Sequence, residues 1–131
     1  MTTFQRVSIA ITTDGSGNST DYSAAVQGFL DNVFFDFGSL ATGSDLTITE
    51  ESTGDALLTI TNTGVADLTW RPRVGVHPVA NTAGGTLAPG GQTTGGDGNA
   101  DQRLPVSGRI KCVTAQGDAA TSGTLYCDIV S

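Results

Sequence analysis

The chain has very few of the residues that favour helices. Its 131 residues include one lysine, two glutamates and one methionine, whereas 18 are glycine and threonine is abundant. Threonine favours strands and glycine favours turns, so the composition predicts an all-β protein with no helix longer than two turns. No apolar run approaches the roughly 18 residues that a transmembrane helix needs, and we expect no membrane partner.

Basic residues are also scarce. The net charge is −7, and residues 1–70 carry nine acidic side chains against Arg6 alone, which gives −8. Residues 71–131 carry four acidic and five basic side chains, which gives +1. Free nucleic acid is therefore not an expected partner, because the sequence provides no strong basic field to attract phosphates. The asymmetry predicts either two solvated faces or a bipolar particle that docks by its basic end.

Strand-like segments recur roughly every ten to twelve residues, which is the spacing of a β-sandwich or barrel. The pattern predicts a single domain over residues 1–131, a β-sandwich or jelly-roll-like barrel of about eight strands. The N-terminus has neither the basic start nor the long apolar run of a signal peptide, so we expect synthesis in the cytosol. The segments are 6–12, 28–38, 45–50, 56–64, 67–74, about 106–115 and 123–130.

The segment 28–38 is the most apolar of these strands. Its alternation places Asn32 and Asp36 on one face, whereas Asp31 breaks the pattern and indicates a strand rim or a β-bulge. The inward face is expected to carry Phe29, Val33, Phe35 and Phe37.

Residues 77–102 are expected to form a long loop. The segment contains seven glycines and two prolines and cannot sustain a regular element. Loops of this length inside a compact domain are uncommon and tend to be functional or disordered. We expect either an arm that becomes ordered against a partner or a floppy surface loop.

Cys112 and Cys127 are the two cysteines of the chain. A zinc site needs four ligands, and a redox pair usually carries a CxxC motif, so neither is expected. A turn near residues 119–120 would pair the last two strands as a hairpin and place the two thiols opposite each other, facing the core. Directly opposed cysteines form a disulfide only with strained geometry. We therefore expect a structural pair of reduced cysteines, with a disulfide as the alternative.

The segment 14–21 begins like a calcium-binding loop, with Asp14, Ser16 and Asn18 at alternate positions. Ala25 stands where the closing bidentate glutamate would be needed. The segment therefore predicts a turn, and we expect no metal ion.

No catalytic constellation is visible in the sequence. His77 lies near no recognisable nucleophile motif. Glu50 and Glu51 are adjacent at a strand end, which places them on opposite faces rather than together. We expect a protein without a catalytic site or a cofactor.

The stretch 70–73 (WRPR) is the main candidate for partner binding. Trp70 and Pro72 share one face of the strand, and Arg71 and Arg73 share the other. One interpretation is a core tryptophan with two solvated arginines on an edge strand, where proline is tolerated. The other is an arginine pair that binds carboxylates of a neighbouring subunit. The candidate partner-binding residues are Arg71, Arg73, Arg103, Arg109 and Lys111.

The chain as a whole resembles a group of small β-rich virion proteins encoded among the head genes of tailed bacteriophages. The resemblance rests on the turn "TDGSGNSTDYSA", on "ADLTW" before an Arg-Pro pair, and on the ending "RLPVSGRIKCVTAQGDAATSGTLYCDIV". The segment 77–102 is particular to this sequence.

The resemblance implies a capsid decoration (cement) protein, which would bind the major capsid protein on the outside of the shell. It further implies a homo-oligomer, with a trimer at quasi-threefold positions favoured, made in the host cytosol and located on the virion. The alternative is a β-sandwich on a tail or spike that binds a host receptor or glycan. That alternative calls for a shallow aromatic groove.

Overall fold

The computed structural model describes residues 3–64, 66–75 and 101–131, which form eleven strands and no helix. The prediction of an all-β fold is confirmed, and no helix in these residues is long and apolar enough to cross a membrane. The strands are β1 (Phe4–Thr12), β2 (Ser19–Tyr22), β3 (Val26–Asp36), β4 (Asp45–Glu50), β5 (Ala56–Ile60), β6 (Leu68–Trp70), β7 (Val74–Gly75), β8 (Asp101–Gln102), β9 (Leu104–Gly108), β10 (Ile110–Ala115) and β11 (Ser122–Val130).

The strands form two antiparallel sheets, with β7 and β8 as a separate short ladder. Sheet A has the order β1-β11-β3, and the free side of β3 is shared by β9 over its first half and β6 over its second half. Sheet B has the order β2-β10-β4-β5. The chain passes from one sheet to the other after most strands, and this order is that of a jelly roll.

The core lies between the two sheets. Residues of alternate parity along each strand point inward, because successive side chains of a strand face opposite sides of the sheet. Burying each of these large apolar side chains stabilises the fold by about 1.5–3 kcal/mol. The largest fully buried apolar residues are Phe35, Ile9, Ile11, Leu30, Leu46, Ile48, Ile110, Leu125, Ile129, Val33 and Val106.

The expected hairpin between the last two strands does not form, so that prediction is wrong. β10 belongs to sheet B, where Cys112 lies opposite Ile48, whereas β11 belongs to sheet A, where Cys127 lies opposite Val7 and Val33. The segment between them carries the chain across the sandwich instead of folding it back within one sheet. The inward orientation of both thiols is confirmed, since each cysteine is 0% exposed.

A hydrogen-bond network fixes this crossing segment against the turn that follows β1. Thr13 Oγ1 donates to the carbonyl of Asp118 at 2.6 Å and accepts the amide of Thr121 at 2.8 Å. Gln116, Asp118 and Ala120 all have positive φ angles, of 61°, 65° and 57°. Glutamine and alanine rarely adopt this conformation unless the surroundings impose it, whereas aspartate tolerates it more readily. The contacts with the first turn therefore determine the path of the segment.

A β-bulge in β3 changes which aromatic residues face the core. The pairing with β11 shifts between Asp128 and Ile129, so that Asn32 and Leu30 are paired and Asp31 is left over. The bulge predicted at Asp31 is thus confirmed. One extra residue reverses the facing of everything before it. Leu30 is therefore buried and Phe29 is exposed, which corrects the expectation that Phe29 faces inward.

The acidic and the basic halves of the sequence contribute neighbouring strands to both sheets. β1 and β3, from the acidic half of the sequence, pair with β11 and β9 from the other half. In sheet B, β10 lies between β2 and β4. Each sheet thus contains strands from both halves of the sequence, and the interpretation as a particle that docks by a basic end stays a prediction.

The expected long loop over residues 77–102 lies mostly outside the described residues, as does His77. Only its last two residues are described, and these form β8, which pairs with β7.

Candidate interaction face

The outer surface of sheet A carries a row of apolar side chains across four adjacent strands. Phe4 of β1 pairs with Val130 of β11, Val130 with Phe29 of β3, and Phe29 with Pro105 of β9. Phe4 is 63% exposed and Phe29 is 48% exposed. Pro105 is also exposed, and Val130 is half-buried. Two exposed phenylalanines aligned in one row form an apolar surface that lies outside the core.

Gly28 allows the strands beneath this row to approach each other closely. Its φ angle is +147°, and a Cβ atom at this position would lie 2.5 Å from the carbonyl oxygen of Val130. Only glycine can occupy such a site without displacing the backbone. The absence of a Cβ atom at this position therefore lets β3 pack closely against the end of β11, where the apolar row crosses both strands.

Two arginines converge on the bulge residue beside the row. Arg73 donates from Nη1 to the backbone carbonyl of Asp31 at 2.9 Å and from Nη2 to its Oδ1 at 3.2 Å. Arg103 donates from Nε to the same Oδ1 at 2.8 Å. Two guanidinium groups thus share one carboxylate and leave a net positive charge. The side chain of Arg103 remains 50% exposed and is available to a partner.

These arginines form one wall of a cleft next to Phe29. Among the described residues, Phe29, Arg73, Gln102 and Arg103 line a space of about 490 Å³. The cleft combines an aromatic ring with guanidinium groups, which are two of the side-chain types favoured at binding hot spots. Its charge and shape suit an acidic side chain that is flanked by apolar atoms.

A polar row lies next to the apolar row and carries a third arginine. Arg6 donates to Asp128 from Nε at 2.6 Å and from Nη2 at 3.0 Å, and Asn32 Nδ2 donates to the same carboxylate at 3.3 Å. The hydrogen bond from Arg6, followed by that from Asn32, holds the pKa of the Asp128 carboxyl below its usual value despite its burial. The same contact raises the pKa of Arg6.

A third row contains an aromatic pair. The rings of Phe34 and Tyr126 lie 5.9 Å apart, and the guanidinium of Arg6 lies 5.8 Å from the Tyr126 ring centre. Aromatic and cation–π contacts of this kind hold side chains in fixed positions. We name the surface formed by these rows the Phe-Arg face, defined by Phe4, Phe29, Pro105, Val130, Arg6, Arg73 and Arg103.

The five basic residues predicted to bind a partner do not share one surface. Arg73 and Arg103 belong to the Phe-Arg face, and Arg71 is exposed just beyond β6. Arg109 and Lys111 instead lie at sheet B. Lys111 pairs with Tyr22 in the ladder of β10 and β2.

Arg109 is already engaged within the chain. It donates from Nε to Glu51 Oε1 at 2.9 Å and also bonds Oε2 of the same carboxylate, and its guanidinium lies 4.1 Å from the centre of the Tyr22 ring. The hydrogen bond lowers the pKa of Glu51 and raises that of Arg109. These contacts fix the residue in place on sheet B, away from the Phe-Arg face.

The stretch 70–73 fits the first of its two interpretations in part. Trp70 is half-buried and packs against the core from the edge strand β6. Pro72 is half-buried, and Arg71 and Arg73 are exposed, which agrees with the predicted facing. Arg73, however, is bound to Asp31 rather than fully solvated.

Both cysteines are free thiols enclosed by the core. Burial raises the pKa of Cys112 to about 12, and burial together with the neighbouring Cys112 raises that of Cys127 to about 12. A thiol with so high a pKa is protonated at neutral pH and is a poor nucleophile. The geometry therefore agrees with a structural role.

The other two candidate sites, the segment that begins at Asp14 and the Glu50–Glu51 pair, have structural roles. Asp14 Oδ1 accepts the amides of Ser16 at 2.8 Å and Asn18 at 3.1 Å, so residues 14–18 form the predicted turn. The rest of the segment predicted as a turn, residues 19–21, belongs instead to β2. Glu50 is buried and Glu51 exposed, which confirms that they face opposite sides. In the described part of the chain, no group of three histidine, cysteine or acidic residues is placed to hold a metal ion.

Comparisons with known proteins yield weak structural similarities. No family model matches the chain, and no curated protein matches it. Two solved structures of infectious bursal disease virus, of the Gt and the Gx strain, are similar at 15% sequence identity, with TM-scores of 0.29 and 0.31. Each similarity covers 98% of this chain but only 32% of the viral chain. Similarity at this level does not establish a shared function, so the surface of this chain must indicate what it binds.

Phe4, Phe29 and Arg6 were not among the residues predicted from the sequence to bind a partner. The break in alternation at Asp31 was a usable signal, because a bulge there necessarily turns Phe29 outward. Phe4 and Arg6 gave no such signal, since their importance depends on the pairing of β1 with β11.

Proposed function

We propose that this protein is a non-enzymatic structural protein of a tailed-bacteriophage virion. It decorates the outside of the capsid and binds the major capsid protein through the Phe-Arg face. The observation that carries the proposal is the apolar row, in which Phe4 and Phe29 are held in solvent on a rigid sheet. The resemblance of the sequence to phage head proteins supports a capsid as the partner.

The composition of the Phe-Arg face suits a protein partner. Exposed aromatic residues surrounded by arginines are typical of the centre of protein interfaces. Contiguous apolar surface is uncommon on proteins that bind nothing, and here it lies on regular strands rather than on loops. The expected partner surface offers apolar side chains for Phe4 and Phe29 and carboxylates for Arg73 and Arg103.

The rest of the molecule suits a protein present in many copies on a shell. The net charge of −7 keeps the free protein soluble and discourages binding to nucleic acid. Jelly rolls are common in viral capsid proteins, which supports the proposal by analogy of fold only, since the same fold also occurs in lectins and cupins. A homo-oligomer that contacts several lattice sites at once would bind with a higher apparent affinity than a single contact provides.

The test measures how many copies of this protein are bound to each purified phage particle. The double variant Phe4→Ser/Phe29→Ser and the double variant Arg73→Gln/Arg103→Gln should each bind in clearly fewer copies than the wild type. The matched control is Arg109→Gln/Lys111→Gln, which removes the same charge from sheet B and should bind in full number. Thermal melts of each free variant show whether the fold is retained.

Two outcomes would overturn the proposal. Full occupancy by both Phe-Arg variants would show that this face does not dock, and loss of occupancy in the control alone would place the contact on sheet B. A density map of the intact particle provides the direct readout. Density for the protein on a tail or spike, with loss of host adsorption in the variants, would favour the receptor-binding alternative.

A further inference from the structure

The free edges of the two sheets are protected in different degrees. β2 has four residues, β6 has three and is followed closely by Pro72, β9 contains Pro105, and β5 carries a register shift in its pairing with β4. Short length, proline and bulges are the usual devices that prevent an edge from pairing with another chain. Each of these four edge strands has at least one such protective feature.

The edge formed by β1 has none of these devices. It is nine residues long, contains no proline or lysine, and pairs with β11 in unbroken register from Phe4 to Thr12. Among the described residues, no strand pairs with its other side. Ser8, Ala10 and Thr12 on this edge are all exposed. β2 of sheet B lies near β1 without pairing with it, so β1 is the long, regular edge of the described fold that has no ladder partner on its other side.

The pairing of β1 fixes which backbone groups point out from the edge. Thr3 and Ser131 exchange both backbone hydrogen bonds, at 3.1 and 3.0 Å, and the amide of Thr13 donates to the carbonyl of Thr121 at 2.9 Å. Since bonded and non-bonded pairs alternate in an antiparallel ladder, the odd-numbered residues of β1 bond to β11. The amide and carbonyl groups of the even-numbered residues point outward and have no ladder partner among the described strands: Phe4, Arg6, Ser8, Ala10 and Thr12.

We infer that β1 pairs antiparallel with β1 of a second copy of this chain, about a two-fold axis at Ser8. In this register Ser8 faces Ser8 of the other copy, Arg6 faces Ala10, and Phe4 faces Thr12. All nine residues of the strand are paired, and every outward amide and carbonyl finds a partner. The buried residues of both copies stay on the same inner side, because even residues face even residues.

The side chains also favour a second copy in this register. Apart from the central pair of serines, each pair on the outer surface joins a large side chain to a small one, Arg6 to Ala10 and Phe4 to Thr12. A register centred on Arg6 would instead place two guanidinium groups opposite each other, which is unfavourable. Once β1 is paired, only the protected edges of the described fold remain, so the assembly closes at two copies.

Pairing at β1 has a consequence for the Phe-Arg face. It joins the two copies of sheet A into one continuous sheet, and both Phe-Arg faces lie on the same side of it. The dimer would then contact a surface with two equal sites. The pairing itself does not depend on the proposed function and can be tested without a shell.

The test uses sedimentation of the purified protein over a wide range of concentration. Ser8→Pro removes the outward amide at the centre of the pairing, whereas its bonds to β11 are unaffected because Ser8 does not bond to that strand. We expect its dimer dissociation constant to rise by at least about tenfold, and Ser8→Ala, the matched control, to behave as the wild type. Circular dichroism and melts establish that both variants fold.

A charge pair tests the register. Ala10→Glu places a carboxylate opposite Arg6 of the other copy and should tighten the dimer, whereas Ala10→Arg should weaken it, and both effects should fade at high salt. A wild type that is monomeric throughout, or the trimer that the family resemblance implies, would overturn the inference. Equal effects of both Ala10 variants would overturn the register.

Discussion

At the scale of single residues, the Asp128 carboxylate is a closely held charge in the outer surface of sheet A. Its side chain is 7% exposed and accepts hydrogen bonds from Arg6 and Asn32. These bonds lower its pKa in the folded state. A carboxyl with a lowered folded pKa stabilises the fold above its unfolded pKa, and this stabilisation is lost as the pH falls through the folded value.

Asp128→Asn should therefore lower the melting temperature at pH 7 and have little effect in acid. We expect a decrease of roughly 2–5 °C at pH 7, limited by solvent screening because Arg6 is 53% exposed. As the pH falls from about 5 to below the folded pKa of Asp128, the wild type should lose this advantage and the two curves should meet. Melts across this range at constant ionic strength provide the measurement. A constant difference at every pH would contradict the linkage.

The burial of the two thiols leads us to predict slow reaction with thiol reagents and a loss of stability when both are replaced. With their pKa raised to about 12, Cys112 and Cys127 should not react with a thiol reagent at about pH 8 until the protein is unfolded. Replacing both with Ala should reduce the free energy of unfolding by on the order of 1–3 kcal/mol and leave partner binding unchanged. Rapid labelling of the native protein, or loss of binding with a stable fold, would show that the thiols are more than core residues.

At the scale of elements, most strands could be predicted but their partners could not. Two features were missed: β2 was assigned to a turn, and β9 and β10 were predicted as the single strand 106–115. The alternation of apolar and polar residues along 45–50 or 123–130 shows directly which face of the strand is buried, because this pattern depends only on neighbouring residues. Whether β10 pairs with β11 depends on residues 116–121 and on their contacts with Thr13, far away in sequence. The Phe-Arg face could not be predicted for the same reason. It combines Phe4, Phe29 and Arg103 from segments whose adjacency has no local signal.

The two kinds of connection should tolerate insertions differently. The turn between β4 and β5, residues 51–55, is exposed, and a Cβ atom added to Gly54 would have no neighbour within 4 Å. Inserting Gly-Ser-Gly after Thr53 should lower the free energy of unfolding by less than about 1 kcal/mol. The same insertion after Ala119 should lower it several times more, because it separates Asp118 from Thr121 in the network with Thr13. Denaturant melts of both variants make the comparison, and equal losses would contradict it.

At the scale of the whole molecule, both ends of the described chain meet beside the Phe-Arg face. Thr3 and Ser131 are bonded to each other, and the next residues inward, Phe4 and Val130, begin the apolar row. Any domain fused at either end therefore emerges next to the surface that we propose for docking.

The position of a fused tag should accordingly determine whether the protein binds the capsid. A small globular tag at either terminus should reduce capsid occupancy, whereas the same tag inserted after Gly15 should leave it intact. Gly15 is exposed in the turn after β1, and the length of that strand, about 25 Å, separates the turn from Phe4. Bound copy number is measured on purified particles, with melting temperature as the control. Equal occupancy by all three fusions would place the contact elsewhere.

The position of β11 also governs when the molecule can fold during synthesis. β11 lies between β1 and β3 in the middle of sheet A, so β1 leaves the ribosome long before its partner exists. Sheet A can be completed only after residues 122–130 have been made, and strands joined over so long a separation form slowly. A chain that ends early would lack the strand that joins β1 to β3, and with it Val130 in the apolar row. Incomplete translation products would thus be unable to bind through the Phe-Arg face.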